Sequence, residues 1–155
     1  NTYWDLAKIQ LLSGLAYADI NTLTGDNITS KNGTPFVVKR REKTDIESIV
    51  PVCETLMHIF ARYPNGIPRY TNQAYNRELK KIGCKIGHHG LCSHTLRKTF
   101  GMYMLNKGFS MEAVSKMLGH NQISTTQKWY AKMGIEGISL QSKQLQANSS
   151  IGLLL

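Results

Sequence analysis

The chain of 155 residues is long enough for one domain with its own apolar core. Its 19 Lys and Arg residues outnumber 10 acidic residues, so its surface favours a polyanionic partner. No stretch is apolar enough to span a membrane or has the pattern of a signal peptide, and three irregularly spaced cysteines suit a reduced intracellular protein.

The first half of the chain predicts a helix, a small sheet and a second helix. Residues 3–13 place apolar side chains close to helical spacing, with Gly14 as the C-terminal stop. Residues 35–39 and 46–50 predict two strands of a hairpin, joined by the charged turn 40–45. Residues 52–62 are amphipathic and end before Pro64.

The second half predicts helices separated by glycines. Thr71 is a candidate N-cap for a helix over 72–81, and Gly83 begins a glycine-containing loop. A helix over 94–107 is stopped by Gly108, and Ser110 can cap a helix over 111–118. Ser124 or Thr125 can cap the segment that carries Tyr130. The expected class is therefore α+β: mainly helical, with one small antiparallel sheet.

The positive charge is concentrated in the second half of the chain. Residues 76–133 contain ten Lys or Arg residues and two acidic ones. A basic surface of this kind binds polyanions in a salt-dependent way, and a solvated basic face is the alternative.

Four residues in this basic segment have side chains suited to phosphodiester chemistry. His94 and Arg97 lie three apart on one turn of a helix, His120 follows a Leu-Gly pair, and Tyr130 ends the run Thr-Gln-Lys-Trp-Tyr. A phosphodiester under attack becomes doubly anionic, so cationic hydrogen-bond donors lower the barrier, and a tyrosine can be the nucleophile. Taken singly, each residue has a structural alternative, as a capping or loop histidine, a surface arginine or a packed tyrosine.

Taken in this order, the motifs resemble the catalytic core of the tyrosine recombinases, the phage-integrase family. Residues 13–19 (Ser-Gly-Leu-Ala-Tyr-Ala-Asp) are similar to the first box of that family, Thr-Gly-x-Arg-x-x-Glu. Lys43 falls in the hairpin turn, where family members carry a catalytic lysine, and residues 71–81 are similar to integrases of bacterial mobile elements. The resemblance covers about residues 4–133 and implies the DNA breaking-rejoining fold.

The resemblance also implies a role for each matching residue. Arg97 and His120 are expected to bind the scissile phosphate, and His94 to bind it or assist proton transfer. Lys43 would protonate the leaving 5′ oxygen, and Tyr130 would form a 3′-phosphotyrosyl bond. No cofactor or metal is expected. Further contacts to double-stranded DNA are expected from Lys98, Arg40, Arg41 and Lys128.

The family also implies an organisation and an assembly. Residues 1–133 are expected to be the catalytic domain, without the N-terminal core-binding domain, and residues 134–155 a tail that docks on a neighbouring protomer. The full-length protein would act as a tetramer on DNA, associated with the nucleoid in a bacterial cytoplasm.

Two departures from the family leave alternatives open. Ala16 stands where the first box has an arginine, and Lys98 where a second histidine usually follows. Lys98, a group near Ser13 or a cation elsewhere could replace the missing arginine; otherwise the chain is a catalytically impaired DNA-binding relative. A type IB topoisomerase is a second alternative. The third is a zinc module built from Cys84, His88 or His89, Cys92 and His94.

Overall fold

The structure is a computed structural model that describes residues 2–131 and residue 143. Helices and a small sheet alternate in the predicted order, which confirms the α+β class. The helices are α1 (Thr2–Ser13), α2 (Tyr17–Ile20), α3 (Glu54–Arg62), α4 (Asn72–Lys85), α5 (Ser93–Asn106), α6 (Met111–Leu118) and α7 (Ile123–Tyr130). No described helix has the length and apolar character needed to cross a lipid bilayer.

The sheet has one strand more than the predicted hairpin. Its described strands are β1 (Ile28–Lys31), β2 (Thr34–Arg40) and β3 (Glu47–Pro51), antiparallel in the order β1-β2-β3. Val37 at the centre pairs with Ile28 on one side and Val50 on the other. Strand β1 escaped prediction because it lies at the edge and is mostly exposed, so it lacks the apolar alternation of a half-buried strand.

Most helix ends lie where capping residues predict them. The Thr71 side chain accepts a hydrogen bond from the Ala74 amide, and Ser110 accepts one from Ala113. The predicted end of α4 was wrong, because Gly83 lies inside the helix; a Cβ there would meet the His88 carbonyl oxygen at 2.3 Å. The predicted caps of α7 were also wrong, because that helix begins at Ile123, and its N-cap Gln122 makes no side-chain capping bond.

Helix α5 connects two apolar clusters. The larger cluster collects side chains of α1, α3 and α4 and includes Leu96 of α5. Phe100 and Leu105 of α5 belong to the smaller cluster, with Val50 and side chains of α6. Four methionines are buried in or packed against that cluster: Met102, Met104, Met111 and Met117. Helix α5 is therefore anchored in both clusters.

Candidate active site

The first turn of α5 presents His94 and Arg97 to one pocket of about 520 Å³, as their spacing predicts. Its lining comes from α1, the first box, the hairpin turn, α4 and the start of α5. The lining residues are Gln10, Ala16, Tyr17, Arg41, Asn72, Asn76, Lys80, Cys92, Ser93, His94 and Arg97. The pocket thus brings the first box together with the predicted His-x-x-Arg pair.

A buried amide network fixes the start of α5. The fully buried Gln10 donates to Ser93 Oγ at 2.8 Å and accepts from the Tyr75 hydroxyl at 3.0 Å. The Ser93 amide donates to Asn76 Oδ1 at 2.8 Å. Because these bonds come from α1 and α4, they set the position of the residue directly before His94. Sequence patterns give no sign of this network, since Gln10 looks like one more residue of an amphipathic helix.

Arg97 is held by backbone carbonyls and has no carboxylate partner among the described residues. Its guanidinium is buried and donates to the carbonyl oxygens of Gly14 and Leu118. Burial, and then repulsion by Arg41, lowers the pKa of Arg97 to about 10, against an opposing effect of Asp19. The side chain therefore remains cationic at neutral pH, and the first box and the end of α6 orient it.

Arg41 reaches the same pocket from the hairpin turn. Its Nε lies 3.4 Å from Oδ2 of the buried Asp19, and its Nη1 donates to the Gly119 carbonyl at 2.8 Å. Asp19 also accepts from the Glu42 amide at 2.9 Å, which ties the turn to the first box. Asp19, the acidic residue of the first box, therefore helps to hold the Arg41 guanidinium in place.

His120 follows α6 and is kept neutral by its surroundings. Burial, followed by the charges of Arg97 and Arg41, lowers the pKa of His120 to about 4. Nδ1 lies 2.9 Å from the hydroxyl oxygen of the buried Thr126. In the tautomer in which this hydroxyl donates, Nε2 carries the proton and can donate to a phosphate oxygen.

Trp129 holds α7 against both histidines. Its ring meets the His120 ring edge-on at 5.0 Å between centroids and the His94 ring at 6.1 Å. Gly101 makes room for it, since a Cβ there would lie 3.1 Å from the indole. Tyr130, the next residue, ends α7; the position of its side chain lies outside what the structure describes.

A model of the phage integrase family matches residues 3–134 of the chain. The chain belongs to the phage integrase family. Tyrosine recombinase XerD of Staphylococcus epidermidis is 30% identical over 149 residues, covering 82% of this chain and 50% of that protein. Tyrosine recombinase XerC of Roseiflexus castenholzii is 44% identical over 59 residues, covering 38% of this chain and 19% of that protein. The chain therefore spans half the length or less of these curated relatives.

Solved structures confirm the fold. The crystal structure of the XerA recombinase has a TM-score of 0.71 at 17% identity, over 92% of this chain and 62% of that chain. The Tn1549 transposon integrase, in complex with transposon right end DNA, has a TM-score of 0.65 at 20% identity, over 92% and 58%. The described residues thus adopt the catalytic-domain fold of tyrosine recombinases.

The other residues assigned from the family pattern lie outside the pocket lining. Lys43 is exposed in the turn between β2 and β3, and within the described chain it makes no hydrogen bond or ion pair. Arg40 is exposed and pairs with Asp45 at 3.2 Å. Lys98 is half-buried and Lys128 is exposed on α7. Their predicted contacts with DNA remain predictions, and the role of residues 134–155 lies outside the described part except for residue 143.

The cysteines and histidines of the zinc alternative do not assemble into a ligand set in the described part of the chain. Cys84 Sγ lies 3.9 Å from His89 Nδ1. No group of three or more His, Cys, Asp or Glu side chains among the described residues is arranged to hold a metal ion. Cys92 and His94 instead line the pocket with Arg97.

Proposed function

We propose that this protein is a site-specific DNA recombinase that cleaves and rejoins strands through a 3′-phosphotyrosine intermediate, for integration or excision of a mobile element. The observation that carries the proposal is the position of Trp129. This residue packs against His94 and His120, and Tyr130 is the next residue along α7. His94 lines the pocket beside Arg97, so the helix that ends in the nucleophile is held next to the cationic site.

The chemistry follows from the groups present. Tyr130 passes its phenolic proton to His94 or to solvent and attacks the phosphorus, forming a tyrosyl–phosphate bond while the bond to the 5′ oxygen breaks. Arg97 and the neutral His120 donate hydrogen bonds to the non-bridging oxygens, whose charge grows during attack. Lys43 delivers a proton to the leaving 5′ oxygen, and His94 binds the phosphate or moves a proton. A 5′ hydroxyl later reverses the step without ATP, because the phosphodiester energy is kept.

Double-stranded DNA is the proposed substrate, and a tetramer on DNA the proposed assembly. The relatives are named tyrosine recombinases, and one neighbour was solved on transposon DNA. The excess of Lys and Arg in residues 76–133 suits a polyanion. Recombination joins two duplexes and requires four strand cleavages, which four copies of Tyr130 would supply. We place the protein on the bacterial nucleoid, where its substrate lies.

The test is a covalent adduct on a nicked duplex that carries the recombination junction of the protein's own element. A nick close to the scissile phosphate lets the short 5′ product diffuse away, so the phosphotyrosine accumulates. The complete gene product is incubated in EDTA, and the adduct is resolved on a denaturing gel. We expect an adduct from wild type and none from Tyr130→Phe, which keeps the ring and removes the attacking oxygen.

Binding of the same duplex by gel shift is the control, and Tyr130→Phe should bind like wild type. An undiminished adduct in Tyr130→Phe would refute the assignment of the nucleophile. An adduct that vanishes in EDTA and returns with magnesium or zinc would contradict metal-independent chemistry. A wild-type protein that binds the junction and never forms an adduct would be the catalytically impaired relative instead.

A further inference from the structure

The first box lacks its arginine, yet the pocket beside it contains a second guanidinium. Ala16 contributes only a methyl group to the lining of the pocket. Arg41, which enters from the hairpin turn, lines the same pocket together with Arg97. A cation therefore stands near the position of the missing one, although it comes from a different element of the chain.

The other candidates for this contact are placed less well. The Ser13 hydroxyl is fully buried; it donates to the Ile9 carbonyl at 2.6 Å and accepts from the Leu15 amide at 3.3 Å. Lys98 is next to Arg97 in sequence and does not line the pocket. Successive helix residues point about 100° apart, which explains why Lys98 faces elsewhere.

Arg41 is held firmly and still has hydrogen-bonding capacity. Its side chain is 13% exposed, and Asp19 and the Gly119 carbonyl engage Nε and Nη1. Within the described residues Nη2 has no hydrogen-bond partner. A planar guanidinium that is fixed on one edge and free on the other suits an incoming tetrahedral oxyanion.

The charge balance of the pocket also favours an anion. Arg41 shares the carboxylate of Asp19 with the Glu42 amide, and among the described residues Arg97 binds backbone carbonyls alone. The two guanidiniums repel each other, which helps to lower the pKa of Arg97. An oxyanion bound between them would relieve this repulsion.

We propose that Arg41 binds a non-bridging oxygen of the scissile phosphate and replaces the missing first-box arginine. This role rests on the proposed recombinase function and adds to it a catalytic residue on the hairpin. Arg41 thereby stabilises the same developing charge as Arg97, from a different element of the chain.

The first experiment measures anion binding without any recombination. Inorganic phosphate is titrated into the complete gene product at constant ionic strength, and the melting temperature is followed. A bound anion at about ten times its dissociation constant should raise the melting temperature by about 2–4 °C. Arg41→Ala should abolish this rise. Arg69→Ala, which removes an exposed guanidinium outside the pocket, should retain it. An equal rise in Arg41→Ala would overturn the proposal.

The second experiment measures adduct formation on the nicked duplex. Arg41→Ala should form adduct about 10²–10³-fold more slowly than wild type, the usual cost of one lost oxyanion donor. Arg41→Lys keeps the charge and loses the fork, so it should be intermediate. Circular dichroism and the urea midpoint of each variant show whether it is folded.

Rescue separates a phosphate contact from mere support of the fold. Ala16→Arg restores a guanidinium from the first box, so it should recover adduct formation in an Arg41→Ala background. Full activity in Arg41→Ala, or a folded Arg41→Ala that Ala16→Arg fails to rescue, would refute the role of Arg41. No adduct from wild type would instead refute the recombinase function, while the phosphate titration still tests Arg41 as an anion ligand.

Discussion

The neutral state of His120 is set by its neighbours. Its ring is half-buried beside two guanidiniums, and burial together with Arg97 and Arg41 lowers its pKa from 6.5 to about 4. At neutral pH this histidine can therefore donate one hydrogen bond without adding another positive charge next to Arg97 and Arg41. A neutral donor suits the proposed function, in which the site binds DNA and then releases it.

The lowered pKa predicts how stability depends on pH. Between pH 6.5 and about 4, His120 is protonated in the unfolded chain and not in the folded one. Its contribution to the free energy of unfolding is therefore complete above pH 6.5 and is lost as the pH falls through about 4. Urea unfolding at several pH values should show a smaller loss in His120→Gln than in wild type. Parallel curves for the two proteins would contradict the assignment.

Lys43, an exposed residue of the hairpin turn, is the proposed general acid. Its amine would protonate the leaving 5′ oxygen, and within the described chain it is exposed and makes no hydrogen bond or ion pair. Lys43→Ala should form little adduct on a normal phosphodiester. On a substrate with sulfur at the 5′ bridging position it should recover, because a thiolate leaves without protonation.

Arg97→Ala is the matched control for that experiment. In the proposed mechanism Arg97 stabilises the charge on the non-bridging oxygens, so a better leaving group should not rescue its loss. Equal rescue of both variants, or of neither, would show that Lys43 is not the general acid.

At the scale of elements, the end of α6 and the hairpin turn meet at one glycine. Gly119 has φ of 59°, and a Cβ there would lie 2.4 Å from Arg41 Cδ and 2.5 Å from Ser48 Oγ. Its carbonyl accepts from Arg41, and the Leu118 carbonyl before it accepts from Arg97. The same turn thus orients both guanidiniums and places His120.

Gly119→Ala should therefore disturb the site as well as the fold. Left-handed backbone costs a non-glycine residue about 1–2 kcal/mol, and the collision with Arg41 adds to this. We expect a lower urea midpoint and a strong loss of adduct. Gly87→Ala is the control, since Gly87 has φ of 73° and a Cβ there meets nothing within 4 Å. That variant should lose stability through strain alone and keep its activity; equal activity in the two variants would contradict the role given to Gly119.

The elements that were predictable are those whose signals are local. Caps such as Thr71 and Ser110, and glycine stops such as Gly14 and Gly108, act on neighbouring residues and can be found in the sequence. Strand β1 forms by pairing with β2, and because its residues are mostly exposed, its sequence lacks the alternation of apolar residues that predicts a strand. Gly83 continues α4 because residues 88–91 pack over it, a tertiary contact that no local pattern contains.

The same distinction holds for the site. The spacing of His94 and Arg97 placed them in one pocket, because helical geometry is local. The direction of Arg41 depends on Asp19 and Gly119, which are 22 and 78 residues away in sequence. Sequence patterns therefore could not predict that Arg41 lies in the same pocket as Ala16, although they did predict a charged turn that contains Arg41.

At the scale of the whole molecule, the excess positive charge lies in the segment that contains most of the proposed catalytic residues. The net charge is +9, and residues 76–133 contain two of the 10 acidic residues. The pocket itself contains Lys80 besides its two arginines, and Lys128 is exposed on the helix that leads to Tyr130. A polyanion that lies along α4, α5 and α7 would thus meet cations on each of them.

This distribution predicts a steep dependence of DNA binding on salt. Each phosphate neutralised releases condensed counterions, so the logarithm of the binding constant should fall linearly with that of the salt concentration, by about 0.9 per contact. Residues 1–155 alone should bind a random duplex with little sequence preference, since phosphate contacts position a protein without reading bases.

Lys128→Ala should weaken binding to all sequences and reduce the slope by about 1. Lys31→Ala, an exposed lysine on edge strand β1, is the control and should leave the slope unchanged. Fluorescence anisotropy at several salt concentrations measures both slopes. Binding that is indifferent to salt, or tight and sequence-selective at physiological salt, would mean that base contacts dominate.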